Sequence, residues 1–156
     1  MRYWLMKSEP SVFSIDDLAR AKNQTTSWDG VRNFQARNLL REAQVGDGVI
    51  FYHSSADPPA AVGTATIAKA AYPDATQFDP KSDHYDAASK KDEPRWFVVD
   101  VKLERKFPRA VPLAELRATP ALEDMVLLRK GSRLSVQPVT PAEWKVVCKL
   151  GDKAGA

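Results

Sequence analysis

The chain of 156 residues is 44% apolar and 28% charged with a net charge of +3, values typical of one folded domain with a sizeable core. A single cysteine, Cys148, excludes an internal disulfide framework and a cysteine-based zinc site. No apolar run approaches the roughly 20 residues of a membrane span, and the run near the N-terminus is too short for a signal peptide. We therefore expect a cytoplasmic location and no membrane partner.

Short apolar segments alternate with polar turns in the first half of the chain. In chain order they predict a strand over 2–7, a helix over 14–21, a polar loop over 22–27, a helix over 33–43, a strand over 48–53 and a strand over 61–70. Ser14 is placed as the N-cap of the first helix, and Gly46 is expected to stop the second.

The second half contains the longest loop and the strongest strand pattern. It predicts an acidic loop over 72–94, a strand over 95–107, helical turns over 112–117 and 120–125, a strand over 133–139 and a helix from Thr140 to about Leu150. Thr140 and Glu143 form a capping box with Pro141 at the first helical position. We expect one domain over 1–150 and a frayed tail over 151–156.

These elements indicate an α+β fold. Several predicted strands follow one another without the full helices that parallel crossovers need. The pattern therefore favours a mostly antiparallel, strongly curved sheet or small β-barrel with short helices around it.

The segment from Trp28 to Asn33 holds the residue types that recognise an unstacked base. The indole of Trp28 offers a flat face for stacking, Arg32 offers a planar set of donors, and Asn33 can both donate to and accept from a base edge. A core tryptophan beside a tight turn explains the same segment, because most Trp residues are highly buried for packing reasons.

Other motifs give weaker signals. Glycine-rich phosphate loops are absent, and two histidines with one cysteine are too few for a typical zinc site, so no cofactor or metal is expected. His53, Ser54 and Asp57 have the residue types of a hydrolytic triad, but their adjacent positions favour a strand end leading into a turn. An oxygen-rich cluster over 79–86 lacks the spacing of an EF-hand, which favours a solvated acidic loop.

Basic residues suggest where phosphates would bind. Arg37 and Arg41 lie on one face of the helix predicted over 33–43, where they would contact phosphates or cover apolar surface with their stems. Residues 95–156 hold twelve Lys or Arg against seven Asp or Glu, an excess of five that suits a polyanion partner or a solvated surface.

Seven short blocks together resemble the EVE domain family of the PUA-like superfamily. In order they are 3–10 (YWLMKSEP), 28–33 (WDGVRN), 35–38 (QARN), 51–54 (FYHS), 72–74 (YPD), 77–79 (QFD) and 133–138 (RLSVQP). They span roughly residues 2–148. The resemblance implies a PUA-like fold and a non-catalytic module that binds nucleic acid, DNA or RNA. Such a module would hold a flipped-out modified base, modified cytosine foremost, in an aromatic-lined pocket.

The resemblance also implies roles for single residues. Trp28 would be the stacking face, with Arg32 and Asn33 at the base edge or an adjacent phosphate. The remaining contacts would come from Lys7, Ser8 and Glu9 at the end of the first strand, from Tyr52, His53 and Ser54 as the opposite wall, from Tyr85 as a lid and from Gln137 as a floor contact. Two alternatives stay open: an enzyme acting on a nucleotide or nucleic acid, with His53 or Glu9 as acid or base, and a small-molecule or protein-interaction module.

Overall fold

One mixed sheet organises the computed structural model, which describes residues 1–131 and 133–153. Within these residues the sheet has six strands: β1 (Tyr3–Ser8), β2 (Thr25–Ser27), β3 (Gly48–His53), β4 (Ala60–Pro73), β5 (Phe97–Pro112) and β6 (Val136–Val139). The α-helices of the same residues are α1 (Ile15–Arg20), α2 (Phe34–Glu42), α3 (Leu113–Arg117) and α4 (Pro141–Asp152). Single 3-10 turns lie at Lys22–Gln24, Ala75–Phe78, Pro120–Leu122 and Val126–Leu128. The predicted α+β class is confirmed.

The strands are ordered β2-β5-β4-β3-β1-β6, with β1 parallel to β3 and the other pairs antiparallel. The segment between β1 and β3 contains α1 and α2, which gives it the length that a parallel connection needs. Register shifts along the β4–β5 pair mark bulges, which bend and twist strands. The order has β2 and β6 at its two edges, so the pairings of the described residues do not include closure into a barrel.

Two helix caps form where the sequence predicts them, and a third was not predicted. Ser14 and Asp17 make a reciprocal capping box at α1, and Thr140 with Glu143 makes another at α4. Asn33 is the N-cap of α2, since its side chain accepts a hydrogen bond from the N–H of Ala36. No helix of the described residues is long and apolar enough to cross a membrane.

The sheet separates two cores, because side chains alternate between its faces. Trp4, Met6 and Phe51 lie in the core that α1 and α2 cover, whereas Leu5 and Ile50 lie in the core with α3 and α4. The cavity described below lies beside the first core.

Several boundaries differ from the prediction. Strand β4 runs to Pro73 instead of ending at residue 70, and β5 runs to Pro112 instead of ending at residue 107. Residues 25–27 were predicted as loop but pair with β5 as strand β2. Their polar sequence gives no apolar alternation that would predict a strand. Strand β6 begins only at Val136. Helix α4 continues to Asp152, beyond the predicted end at about Leu150, and a Cβ at Gly151 would clash with the Phe107 ring. Residues 154–156 of the predicted tail lie outside the described residues.

Candidate nucleic-acid interface

A cavity of about 510 Å³, which we call the first cavity, opens where β1 ends, next to the segment that follows β2. Ligand sites typically have volumes of roughly 300–1,000 Å³. The residues that line it are Lys7, Ser8, Glu9, Val12, Phe13, Thr26, Ser27, Trp28, Asp29, Gly30 and His84. The first cavity thus combines aromatic and aliphatic residues with hydroxyl-bearing and charged ones.

Trp28 belongs to the core and also lines the first cavity. The residue is 7% exposed, and its indole meets Phe51 edge to face, with ring centroids 5.4 Å apart at 85°. Its backbone N–H donates to the carbonyl of Val99 over 2.8 Å, which continues the pairing of β2 with β5. Packing therefore fixes the ring beside the cavity, while its role as a stacking face for a base stays a prediction.

The end of β1 and the turn after it form another side of the first cavity. The hydroxyl of Ser8 donates to the carbonyl of Phe13 over 2.5 Å, and the N–H groups of Val12 and Phe13 donate to the carbonyl of Glu9. These bonds hold the turn against the strand end. Burial lowers the pKa of Lys7, which lies on the same strand.

Arg32 does not line the first cavity, contrary to the role predicted for it. Its guanidinium donates to a carboxylate oxygen of Asp74 over 3.0 Å, to the carbonyl of His84 over 2.7 and 3.1 Å, and to the hydroxyl of Thr76 over 3.1 Å. A further bond goes to the carbonyl of Val31. Arg32 therefore positions the acidic loop instead of reaching towards a base.

Asp74 is the buried partner in this arrangement, with its side chain 1% exposed. Burial alone would raise its pKa, but hydrogen bonds from Thr76, from the N–H of Gly30 and from Arg32 hold the pKa below the usual carboxyl value. The carboxylate is therefore a fixed negative centre that joins the segment after β2 to the loop after β4.

His84 lies directly against Gly30 and lines the first cavity. Gly30 has a positive φ of 79°, and a Cβ there would lie 2.7 Å from Nε2 of His84. Only glycine suits both the backbone conformation and the close approach. From the sequence, His84 was placed only within the oxygen-rich cluster over 79–86, and its position beside the cavity was missed. Its signal was the Asp29-Gly30 turn, which permits a close neighbour without identifying it.

Tyr52, His53 and Ser54, predicted as one wall of the pocket, lie in different surroundings. Tyr52 lies in the second core, on the opposite face from Phe51, so the predicted wall position is wrong. Nε2 of His53 accepts a hydrogen bond from the N–H of Ile15 over 3.1 Å, and burial lowers the pKa of His53. Ser54 donates its N–H to the carbonyl of Ser8. Neither His53 nor Ser54 is among the residues that line the first cavity.

Asn33 and Tyr85 also lie outside the lining of the first cavity. The side chain of Asn33 caps α2, so its amide oxygen is occupied by the N–H of Ala36 over 2.9 Å. Tyr85 is 44% exposed and directly follows His84, the lining residue of the same loop. The residue of this loop that lines the first cavity is therefore His84, and Tyr85 is not among the lining residues.

Gln137 is buried in the sheet and is not a floor for the first cavity. Its side-chain N–H donates to the carbonyl of Leu134 over 2.9 Å, and its backbone pairs in register with Leu5. Opposed residues of an antiparallel pair share a face, so Gln137 lies on the side of the second core. The side-chain oxygen has no hydrogen-bond partner among the described residues.

Arg37 and Arg41 line a second cavity, of about 670 Å³, between α2 and the segment that precedes β5. Its lining is Arg37, Arg41, Ala88, Lys90, Asp92, Glu93, Pro94, Arg95 and Phe97. The face of α2 that was predicted to contact phosphates therefore borders a cavity that other basic residues also line.

Known structures define the class of fold. The YTH domain of Zygosaccharomyces rouxii MRB1 superposes with a TM-score of 0.55 over 99% of this chain and 89% of that one, at 16% identity. This likeness shows that the chain shares the fold of that domain, an α+β fold built on one mixed sheet.

Sequence comparison then gives the family. The model of the EVE domain matches residues 2–150, and the chain belongs to the EVE domain family. Human thymocyte nuclear protein 1 is 46% identical over 97% of this chain and 74% of its own length.

Solved structures at higher identity agree. A protein from Pseudomonas putida superposes with a TM-score of 0.91 at 50% identity, covering 96% of this chain and 99% of that chain. The human THYN1 protein, solved in complex with DNA containing 5-methylcytosine, superposes with a TM-score of 0.93 at 44% identity, covering 99% of this chain and 100% of that chain.

Proposed function

We propose that this protein is a non-catalytic reader of modified cytosine in nucleic acid, with the modified base held in the first cavity beside Trp28. The observation that carries the proposal is the preformed cavity in which an indole is fixed next to polar groups. The human relative solved with DNA containing 5-methylcytosine supports the choice of ligand.

The lining suits a methylated cytosine chemically. Trp28, Phe13 and Val12 supply apolar surface for a base face and a methyl group, while Glu9 and Asp29 supply carboxylates. A carboxylate accepts a hydrogen bond from the exocyclic amino group of cytosine. Stacking on one aromatic ring contributes roughly 1–3 kcal/mol, which offsets much of the few kcal/mol that extrusion from a duplex costs.

Catalysis has less support from the same geometry. The acceptor nitrogen of His53 is occupied by the N–H of Ile15, so it is not directed at a substrate in the first cavity. Glu9 lines the cavity, and a hydroxyl of Ser55 donates to it over 3.4 Å. A carboxylate there serves a binding role as readily as an acid–base role.

Affinity measurements on matched oligonucleotides test the proposal. Three oligonucleotides differ only at one central cytosine, which is unmodified, 5-methylated or 5-hydroxymethylated. Two more carry adenine or N6-methyladenine at that position. Each of the five is prepared as DNA and as RNA. We expect preference for modified cytosine by about tenfold or more, since one methyl group in an apolar site contributes roughly 1–3 kcal/mol. Equal affinity for all members, or preference for methyladenine, contradicts the assignment. Turnover of any oligonucleotide would favour the enzyme alternative.

A further inference from the structure

The second cavity is a concentration of positive charge that base recognition does not use. Arg37 and Arg41 approach it from α2, and Lys90 and Arg95 approach it from the segment before β5. Two carboxylates, from Asp92 and Glu93, belong to the same lining, so basic residues outnumber acidic ones by four to two.

Most of these cations have no carboxylate partner in the part of the chain that the structure describes. Among the described residues, no ion pair within 4.0 Å includes Arg37, Arg41 or Lys90, whereas Arg95 is 3.9 Å from Asp86. The guanidinium of Arg41 instead lies 4.7 Å from the centre of the Phe97 ring. A guanidinium held on an aromatic face keeps its N–H groups available for an anion.

The segment that presents Lys90 and Arg95 is firmly anchored. Buried Gln77 donates to the carbonyl of Trp96 over 2.9 Å, and its side-chain oxygen accepts from the hydroxyl of Ser89 and from the N–H groups of Arg95 and Trp96. A guanidinium N–H of Arg37 donates to the carbonyl of Arg95 over 3.0 Å. The cationic groups therefore lie on a backbone that is ordered before any ligand binds.

We propose that the second cavity binds phosphate groups in the backbone of the same nucleic-acid strand whose modified base occupies the first cavity. This inference rests on the proposed function. One continuous loop links the two cavities, because it supplies His84 to the first and Lys90 and Arg95 to the second. Planar guanidinium groups match phosphate oxygens in geometry and charge, and such contacts are independent of the base.

The dependence of affinity on salt tests this inference. Arg41→Ala and Lys90→Ala are each compared with the parent protein on one 5-methylcytosine oligonucleotide of about 12 nucleotides over a range of salt concentrations. Each lost phosphate contact lowers the slope of log K against log salt by about 0.9 for a duplex or about 0.7 for a single strand. Lys145→Ala is the matched control, since Lys145 is exposed on α4 and lines neither cavity.

Two further measurements test whether the bound phosphate belongs to the nucleic-acid backbone and whether the two carboxylates of the cavity weaken binding. The affinity for 5-methylcytidine monophosphate, which carries no phosphate of a neighbouring nucleotide, is expected to be equal in Lys90→Ala and parent. Asp92→Asn combined with Glu93→Gln removes both carboxylates and is expected to raise affinity for modified and unmodified oligonucleotides by the same factor of several fold.

The outcomes separate this inference from the proposed function. An unchanged salt slope in Arg41→Ala and Lys90→Ala overturns the phosphate assignment, even where the parent still prefers modified cytosine. The inference is also overturned if Lys90→Ala lowers the affinity for the monophosphate as much as it lowers the affinity for the 12-mer, because the second cavity is then a site for a single phosphate. Loss of base preference in the parent contradicts the proposed function alone, since the salt slope is measured independently of it.

Discussion

Arg32 and Asp74 form an ion pair of 3.0 Å across 42 residues of sequence, although the sequence marked Arg32 for a base or a phosphate. The carboxylate also accepts hydrogen bonds from the N–H of Gly30 and from Thr76. This pair therefore fixes the position of the loop that brings His84 to the first cavity.

Asp74→Asn is expected to lower the free energy of unfolding by about 1–3 kcal/mol, because it removes a charged acceptor with several donors. Arg32 retains 22% side-chain exposure, so the loss stays below that of a fully buried pair. Chemical denaturation measures the change. Glu42→Gln is the control, since its ion pair with Arg2 is about half exposed and contributes at most about 1 kcal/mol.

The same variant has a pH signature. The folded pKa of Asp74 is lowered, so its stabilising effect is present above the ordinary carboxyl pKa of 3.8 and is lost as pH falls through the lowered value. The stability difference between parent and Asp74→Asn is therefore expected to shrink as pH falls below that ordinary value. A difference that stays constant down to pH 2 would show that the charge of Asp74 does not stabilise the fold.

Trp28→Ala is expected to weaken binding of a 5-methylcytosine oligonucleotide by tenfold or more, as loss of one stacking partner implies. Trp28→Phe keeps an aromatic face and much of the packing against Phe51, so we expect a smaller loss and a folded protein. Trp144→Phe is the matched control. Trp144 lies on α4, and its indole stacks on the ring of Tyr3 with ring centroids 4.5 Å apart. Isothermal calorimetry compares the three; parent-like affinity in a folded Trp28→Ala would remove Trp28 from the base site.

The positions of Tyr52 and His53 show what sequence periodicity does and does not predict. The bounds of β3 and its buried pattern agree with the prediction, and alternation along a strand places Tyr52 opposite to Phe51 and His53. The prediction grouped Tyr52 with His53 and Ser54 as one wall of a pocket. Strand geometry alone would have separated them, since consecutive side chains point to opposite faces.

His53→Gln is expected to reduce the loss of stability on acidification. Burial lowers the folded pKa of His53 below 6.5, so the neutral ring stabilises the fold fully above pH 6.5 and progressively less as pH falls through the folded pKa. Glutamine retains an acceptor for the N–H of Ile15 without a titrating ring. Denaturation midpoints between pH 7.5 and 4.5 measure this, and a parent and variant that decline in parallel would contradict the assignment.

The remaining site residues depend on contacts between distant segments, which a single sequence does not encode locally. Nothing in the residues around Arg32 indicates that Asp74 and Thr76 lie within hydrogen-bond distance of it. His84 likewise reaches the first cavity only because the acidic loop folds back on Gly30. Asn33 was predicted as the first helical residue and as a base contact, and its N-cap position was missed although Asn just before a helix is a local capping signal.

Gly30→Ala tests whether the contact with His84 shapes the first cavity. The positive φ of 79° costs an alanine about 1–2 kcal/mol, and the new methyl group would lie 2.7 Å from the imidazole, so the ring must move. In a His84→Ala background only the backbone cost remains. We therefore expect Gly30→Ala to destabilise the parent more than it destabilises His84→Ala, and to weaken oligonucleotide binding only where the histidine is present. Equal losses of stability and affinity in both backgrounds would show that the ring of His84 does not press on this turn in solution.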